Sequence, residues 1–136
     1  MEHILENVQY VTMKKQNNII MKTILIAEDT DSNFLLLNII LRKNYHLIRA
    51  YNGQEAVRLY HEHHPDIILM DIKMPIMDGL EATREIRKEN VNIPIIALTA
   101  NAFDSDKQKS LDVGCNDYMT KPIIASELLE LMNRYI

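Results

Sequence analysis

The run Ile67–Met70, four apolar residues that lead directly into the carboxylate of Asp71, constrains the fold more than any other feature of the sequence. A run this short and this continuously apolar is typical of a central strand in a parallel sheet, because such a strand is buried on both faces. An amphipathic helix would show polar residues at regular intervals instead. The run therefore predicts a sheet covered on both sides, with an acidic group at the end of one strand.

Further short apolar runs alternate with segments of helical period along the chain. The predicted strands are 23–28, 46–50, 66–71, 94–99 and 117–121, and the predicted helices are 32–43, 53–63, 79–88, 104–113 and 125–135. Strands that alternate with helices form βα units, so five such units predict a doubly wound α/β fold.

One globular domain accounts for the length of 136 residues, because a chain of this size buries one sizeable core. Residues 22–136 carry the alternating pattern and are predicted to form that domain. Residues 1–21 lie outside the pattern, and we interpret them as an N-terminal extension or linker.

Charge and cysteine content exclude several classes of function. The formal net charge is −4 and the basic residues are scattered, so direct nucleic-acid binding is disfavoured. A single cysteine, Cys115, allows no internal disulfide, and no apolar run is long enough to span a bilayer. We expect a cytoplasmic domain that makes no membrane contact of its own, although a longer parent protein could be anchored in a membrane.

Polar side chains close four of the five predicted strands. They are Glu28 and Asp29 at the end of the first strand, Asp71 at the end of the third, Thr99 at the end of the fourth and Lys121 at the end of the fifth. Ligands of open parallel sheets bind outside the carboxyl ends of the strands. Three carboxylates, a hydroxyl and an ammonium group are therefore expected to meet at one edge.

The chemistry of this set indicates phosphoryl transfer. Three neighbouring carboxylates raise one another's pKa values unless a cation favours the ionised forms. A ligand set of oxygen atoms without His or Cys suits Mg²⁺. A phosphoryl group would balance the positive charge of Mg²⁺ and Lys121, so Asp71 is predicted to be a nucleophile that forms an aspartyl phosphate.

Four segments carry a family resemblance: "IAEDTDSN", "LMDIKMPIMDG", "IIALTANA" and "DYMTKPI". In this order and spacing they resemble the receiver domain of bacterial two-component response regulators, from about residue 22 to residue 136. The resemblance implies a flavodoxin-like receiver fold, with a five-stranded sheet of order 2-1-3-4-5. It also implies Mg²⁺ dependence and a partner, either a histidine kinase or a histidine phosphotransfer domain, that passes its phosphoryl group to the aspartate.

The resemblance also implies roles for single residues around the metal. Asp71 would be the phospho-acceptor and a metal ligand, and Asp29 would bind the metal directly. Glu28 stands in the acidic position that often acts through water. The backbone carbonyl of Lys73 would complete the ligands supplied by the protein.

A second group of implied roles concerns the phosphoryl group and the switch. Thr99 and Lys121 would bind the phosphoryl oxygens. Phosphorylation would draw Thr99 inward, and Tyr118 would turn into the space it leaves. The Lys121–Pro122 peptide bond would be cis.

The segment "EDTDSN" also bears on the parent protein. Glu28 followed by Asp29, together with Asn33, resembles receivers attached to histidine kinases, so we expect a hybrid kinase or phosphorelay receiver. A stand-alone response regulator is the alternative, and we expect no output domain after the last predicted helix. The oligomeric state is not assigned.

The first helix has more apolar residues than one core face needs. One helical stripe is predicted to face the core: Leu36, Leu37, Ile40 and Leu41. Three apolar residues beyond that stripe are predicted to form a docking patch for the partner's helix bundle: Phe34, Leu35 and Ile39.

Three rival interpretations are disfavoured by particular residues. An aspartate-nucleophile phosphatase would have a second acid two residues after Asp71, where this chain has Lys73. A flavin-binding module would have a phosphate-binding loop rich in Ser, Thr and Gly after the first strand, where this chain is acidic. An inactive pseudo-receiver would usually lack Asp71 or Lys121.

Overall fold

Five strands and five helices alternate in the computed structural model, which describes residues 21–101 and 103–136. The strands are β1 Thr23–Ala27, β2 His46–Ala50, β3 Ile67–Asp71, β4 Ile95–Thr99 and β5 Asp117–Thr120. The helices are α1 Asp31–Leu41, α2 Gly53–His63, α3 Gly79–Arg87, α4 Asp104–Asp112 and α5 Ala125–Asn133. Each predicted element is present, with ends that differ by at most two residues. Residues 1–20 lie outside the described part, so the interpretation of residues 1–21 as an extension or linker stays a prediction.

The strands form one parallel sheet of order β2-β1-β3-β4-β5. This confirms the predicted doubly wound fold and its strand order. All five residues of β3 and of β4 are buried, because helices cover both faces of the central strands. The run Ile67–Met70 therefore has the central, two-sided burial that its composition predicts.

Alternate residues of each strand contribute to two separate cores. On one face, Leu25 and Ile68 pack with residues of α2 and α3 such as Leu59 and Ile86. On the other face, the core joins β-strand residues to α1 and α5: Ile24, Ile26, Ile67, Leu69, Ile96, Leu98, Leu37, Leu41, Leu128, Leu131 and Met132. The helices are thus divided between the two faces, which leaves the carboxyl ends of the strands open.

The helices that follow β2 and β3 begin at side-chain caps. Asn52 accepts a hydrogen bond from the Glu55 amide at 2.8 Å, and Asp78 accepts one from the Glu81 amide at 2.8 Å. Gly79 starts α3 against the end of β3, where a Cβ atom would overlap the carbonyl of Asp71. Glycine at this position allows the loop after Asp71 to fold back against the strand end.

The orientation of α1 corrects one prediction. Leu37 and Leu41 are buried as expected, but Leu36 is 40% exposed and does not face the core. Phe34, predicted to lie beyond the core stripe, is partly buried and packs against the core below α1. Residues of a helix are rotated by about 100° from one to the next, so a core face centred on Leu37 and Leu41 includes position 34 and leaves position 36 outside.

Across residues 21–101 and 103–136, none of the helices combines the length and the hydrophobicity that a bilayer-spanning segment requires.

Candidate functional site

A small cleft lies at the carboxyl ends of the strands. Its lining residues are Asp29, Thr30, Asp71, Ile72, Lys73, Thr99, Ala100 and Lys121. They come from the ends of β1, β3, β4 and β5 and from the loops that follow. Sequence positions as distant as 29 and 121 meet here because parallel strands end at the same edge.

Three acidic side chains converge at the cleft. Glu28, Asp29 and Asp71 each offer a carboxylate oxygen, and these oxygens lie within 4.8 Å of one another. Glu28 is fully buried and Asp71 is only 5% exposed. Three oxygen donors at this separation, without a histidine or a thiolate among them, fit a site for a hard divalent metal ion.

Lys121 supplies the positive charge that the buried acids need. Its Nζ atom lies 2.7 Å from Oε1 of Glu28 and 3.2 Å from Oδ1 of Asp71. Burial lowers the pKa of Lys121, but the hydrogen bond with Glu28 and the charges of both acids outweigh this, so the pKa is raised. The ammonium group therefore stays protonated at neutral pH.

The two buried acids titrate very differently. Burial, followed by the hydrogen bond and the charge of Glu28, raises the pKa of Asp71 to about 7, although Lys121 opposes the shift. Burial also acts to raise the pKa of Glu28, but hydrogen bonds with Lys121 and Asp71 prevail and lower it. One proton thus remains near Asp71 at moderately acidic pH, and a divalent cation would displace it.

This shift predicts how the stability of the metal-free domain depends on pH. The pKa of Asp71 rises from an ordinary 3.8 to about 7 on folding, so the folded state binds the proton more tightly than the unfolded state. The stability that the folded state gains from this proton is fully present below pH 3.8 and is lost as the pH rises through 7. Between about pH 5 and pH 8, we expect Asp71→Asn to become more stable than the unsubstituted protein by about 2 kcal/mol.

Urea unfolding in the presence of a chelator measures this difference. The comparison between the two proteins cancels the titration of groups that do not contact Asp71. A stability gap between them that does not change with pH would contradict the raised pKa of Asp71.

Thr99 and Tyr118 are the two residues predicted to form the switch. Thr99 ends β4 and is 4% exposed; its Oγ1 accepts a hydrogen bond from the Asn101 amide at 3.1 Å. Tyr118 is partly buried, with Nζ of Lys107 at 5.1 Å from its ring centroid. The Lys121–Pro122 peptide bond is cis, as the resemblance implies. Their roles in switching stay predictions.

One residue beside the site was not found by sequence reasoning. Nε of Arg49 donates a hydrogen bond to the main-chain carbonyl of Glu28 at 3.1 Å. The available signal was a charged residue inside the apolar strand "HLIRA", where a buried charge requires partners.

Comparisons with known proteins agree with this geometry. Residues 24–133 match the family model described as "Response regulator receiver domain". The polar-differentiation response regulator DivK of Brucella ovis is 39% identical over 118 residues, covering 85% of this chain and 96% of its own length. Hybrid signal transduction histidine kinase I of Dictyostelium discoideum is 42% identical over 130 residues, covering 88% of this chain and 8% of the kinase.

Solved structures show the same fold. The receiver domain of the sensor histidine kinase PA1611 of Pseudomonas aeruginosa, with a magnesium ion coordinated in its active-site cleft, has a TM-score of 0.79 and 41% identity, covering 85% of this chain and 97% of that one. The receiver domain of Ssk1 of Saccharomyces cerevisiae, crystallised with the histidine phosphotransfer protein Ypd1, has a TM-score of 0.79 and 34% identity. The match covers 85% of this chain and 88% of that one. The acidic cleft described above therefore lies in a fold that carries a metal-binding cleft in at least one relative.

Proposed function

Because this chain belongs to the response regulator receiver domain family of two-component signalling, we propose that Asp71 accepts a phosphoryl group from a phosphohistidine on a partner protein. One observation carries the proposal: Asp71 is buried at a strand end beside Lys121, at 3.2 Å, with two further acids within reach of one metal ion. A histidine kinase or a histidine phosphotransfer domain is the donor that this chemistry requires. The Ypd1–Ssk1 complex supports a donor of the second type.

The metal ion of the proposal is Mg²⁺. Carboxylates of Glu28, Asp29 and Asp71 and the main-chain carbonyl of Lys73 would hold it. When bound, Mg²⁺ neutralises negative charge on the phosphoryl oxygens. The magnesium ion in the PA1611 receiver supports this choice.

Three residues of this chain take part in the transfer. A carboxylate oxygen of Asp71 attacks phosphorus in line with the nitrogen of the partner histidine. The new O–P bond forms as the P–N bond breaks, and the bonding electron pair stays on the imidazole nitrogen. The ammonium of Lys121 and the hydroxyl of Thr99 donate hydrogen bonds to the phosphoryl oxygens, which stabilises the charge that develops there.

The acyl phosphate would also act as the switch. Phosphorylation adds charge beside Thr99, a residue that is 4% exposed and whose hydroxyl hydrogen-bonds with the main chain of Asn101 in the following loop. Movement of Thr99 toward the phosphoryl group frees space that the ring of Tyr118 can occupy. The change would reach the surface through β5 and α4, where Lys107 now contacts that ring.

Metal-dependent phosphorylation by a small donor tests the proposal without a partner. We expect the protein incubated with acetyl phosphate and Mg²⁺ to gain the mass of one phosphoryl group. Excess chelator should reduce the gain to background, because the ionised acids then repel the donor. Equal phosphorylation with and without the metal would contradict the proposal.

A docking patch for the partner lies on the solvent side of α1, and we define it as Leu35, Leu36 and Ile39. Their exposures are 56%, 40% and 58%. The patch differs from the sequence prediction because Leu36 joins it and Phe34 packs inward. It lies on α1, which begins directly after the cleft residue Thr30, so a helical histidine domain that reaches Asp71 would pass close to this helix.

Removing an apolar side chain from this patch tests docking. We expect Ile39→Ser to slow phosphotransfer from a histidine phosphotransfer domain about tenfold at subsaturating concentration, because an exposed apolar anchor contributes of order 1.4 kcal/mol to binding. Phosphorylation by acetyl phosphate should not change. Val91→Ser is the matched control, since Val91 is 74% exposed but precedes β4, at the opposite end of the sheet. Equal transfer to Ile39→Ser and Val91→Ser would refute the patch.

The parent protein is either a hybrid histidine kinase or a stand-alone response regulator. Similarity to the PA1611 and Dictyostelium receivers supports the first, and similarity to DivK supports the second. Glu28 and Asn33 favour the hybrid type, in a cytoplasmic location. A kinase ATP-binding domain encoded upstream of residue 1 would decide for the hybrid kinase.

A further inference from the structure

Arg49 lies on the α1 face of the sheet, under the start of that helix. It is the register partner of Ile26 in β1, so both side chains project to the same face, where Ile26 packs with Leu37 and Leu41. Its side chain is only 14% exposed. A charged group in such a position is stable only when other groups of the protein replace its water.

Two aromatic rings hold the guanidinium group of Arg49 between them. Its central carbon lies 4.4 Å from the ring centroid of Phe34 in α1 and 4.0 Å from that of Tyr51 after β2. A guanidinium stacked on two rings has a fixed plane, and its donors therefore point in fixed directions.

The guanidinium group contacts both ends of the acidic turn, which we define as residues 28–31, by a hydrogen bond at Glu28 and an ion pair at Asp31. Nε donates to the carbonyl of Glu28 at 3.1 Å, and Nη2 lies 2.9 Å from Oδ1 of Asp31. The amide of Glu28 in turn donates to the carbonyl of Ala50 at 3.0 Å. The peptide plane between Glu28 and Asp29 is thus fixed from the side of β2.

We propose that Arg49 is a positioning residue for the divalent cation: it fixes the main chain of the acidic turn so that the carboxylates of Glu28 and Asp29 face Asp71. The inference rests on the metal site of the proposed function. Arg49 touches neither metal nor phosphoryl group and acts through the turn. Groups that orient the ligands of a metal typically change its affinity 10-fold to 100-fold when they are removed.

If Arg49 acted only through its charge, removing it would strengthen Mg²⁺ binding instead of weakening it. A nearby positive charge weakens the binding of a cation, so its removal by Arg49→Met would tighten Mg²⁺ binding if charge alone mattered. Positioning requires that Arg49→Met binds Mg²⁺ more weakly. The sign of the change therefore separates the two effects.

Calorimetric titration of the metal-free domain with Mg²⁺ alone tests the proposal. We expect the Kd for Mg²⁺ to rise about tenfold in Arg49→Met, which keeps an apolar stem between the rings, and in Arg49→Lys, which keeps the charge. In the metal-free state, the amide NMR signals of Asp29 and Thr30 should shift in both variants.

Arg87→Met is the matched control. Nε of Arg87 also donates to a main-chain carbonyl, that of Gly114, at 2.9 Å. Arg87 is the last residue of α3, however, and neither Arg87 nor Gly114 lines the cleft. Its loss should lower stability and leave the Kd within about twofold of the unsubstituted protein, because distant sites act independently.

Each outcome decides a separate question. Absence of Mg²⁺ binding to the unsubstituted protein would refute the proposed function itself. Normal binding with an unchanged or lower Kd in Arg49→Lys and Arg49→Met would overturn the role of Arg49. If those variants do not fold, Tyr51→Leu decides, because it removes the ring 4.0 Å from the Arg49 guanidinium without changing any charge. A raised Kd supports positioning, and a Kd equal to that of Tyr51→Phe, which keeps the ring, overturns it.

Discussion

Asp71→Asn is expected to abolish phosphorylation by acetyl phosphate and by a phosphohistidine donor. The substitution keeps the size of the side chain but replaces the nucleophilic carboxylate by an amide, which cannot form the acyl phosphate. Glu28 is not expected to take its place, because it is fully buried and paired with Lys121 at 2.7 Å. Intact-protein mass spectrometry after incubation with Mg²⁺ and acetyl phosphate measures the loss.

The matched control for this experiment is Asp78→Asn. Asp78 lies seven residues further along the same loop and is exposed. Its side chain caps α3 by accepting from the Glu81 amide, which asparagine can also do. We expect Asp78→Asn to be phosphorylated as the unsubstituted protein is. Phosphorylation of Asp71→Asn at the same rate would show that another residue is the acceptor.

Lys121→Met is expected to have the second large effect, on stability and on transfer together. Without the ammonium group, Glu28 and Asp71 are left buried without a cation. Breaking one partner out of a buried charge pair costs about 3 kcal/mol or more. The free energy of unfolding at about pH 8 without metal should fall by that amount, and a saturating concentration of Mg²⁺ should restore part of it, because the metal takes over the neutralisation of the acids.

Phosphorylation of Lys121→Met should stay near background even with Mg²⁺ present. The ammonium of Lys121 would donate to a phosphoryl oxygen, and without it part of the charge that develops on the transferred group would have no partner. Lys43→Met is the control, since Lys43 is exposed on the surface after α1. A variant that loses stability but is phosphorylated normally would limit Lys121 to a structural role.

Most of the fold was predictable because each local pattern has one structural solution. The run that ends at Asp71 is too short and too apolar for a surface helix, and the alternation around it requires crossover helices on both faces. The convergence of Asp29, Thr99 and Lys121 followed from the same logic, since the carboxyl ends of parallel strands meet at one edge. Local pattern and topology together therefore predict which residues meet.

The incorrect prediction for α1 and the missed role of Arg49 concern a helix rotation and side-chain contacts. The sequence pattern alone determines neither. α1 has so many apolar residues that its core face can be chosen in more than one way, and the packing of Phe34 against the core moved Leu36 to the surface. The position of Arg49 depends on two aromatic residues from different elements and on a carbonyl of β1. Such contacts have no sequence period, so only the three-dimensional structure reveals them.

The residue that carries the phosphoryl group can be identified chemically. The phosphorylated protein is reduced with borohydride, which converts an acyl phosphate on aspartate to homoserine, and the peptides are sequenced by tandem mass spectrometry. We expect a single homoserine, at position 71, that appears only when Mg²⁺ is present. Homoserine at position 29 or 78, or phosphate on a histidine or a serine, would contradict it.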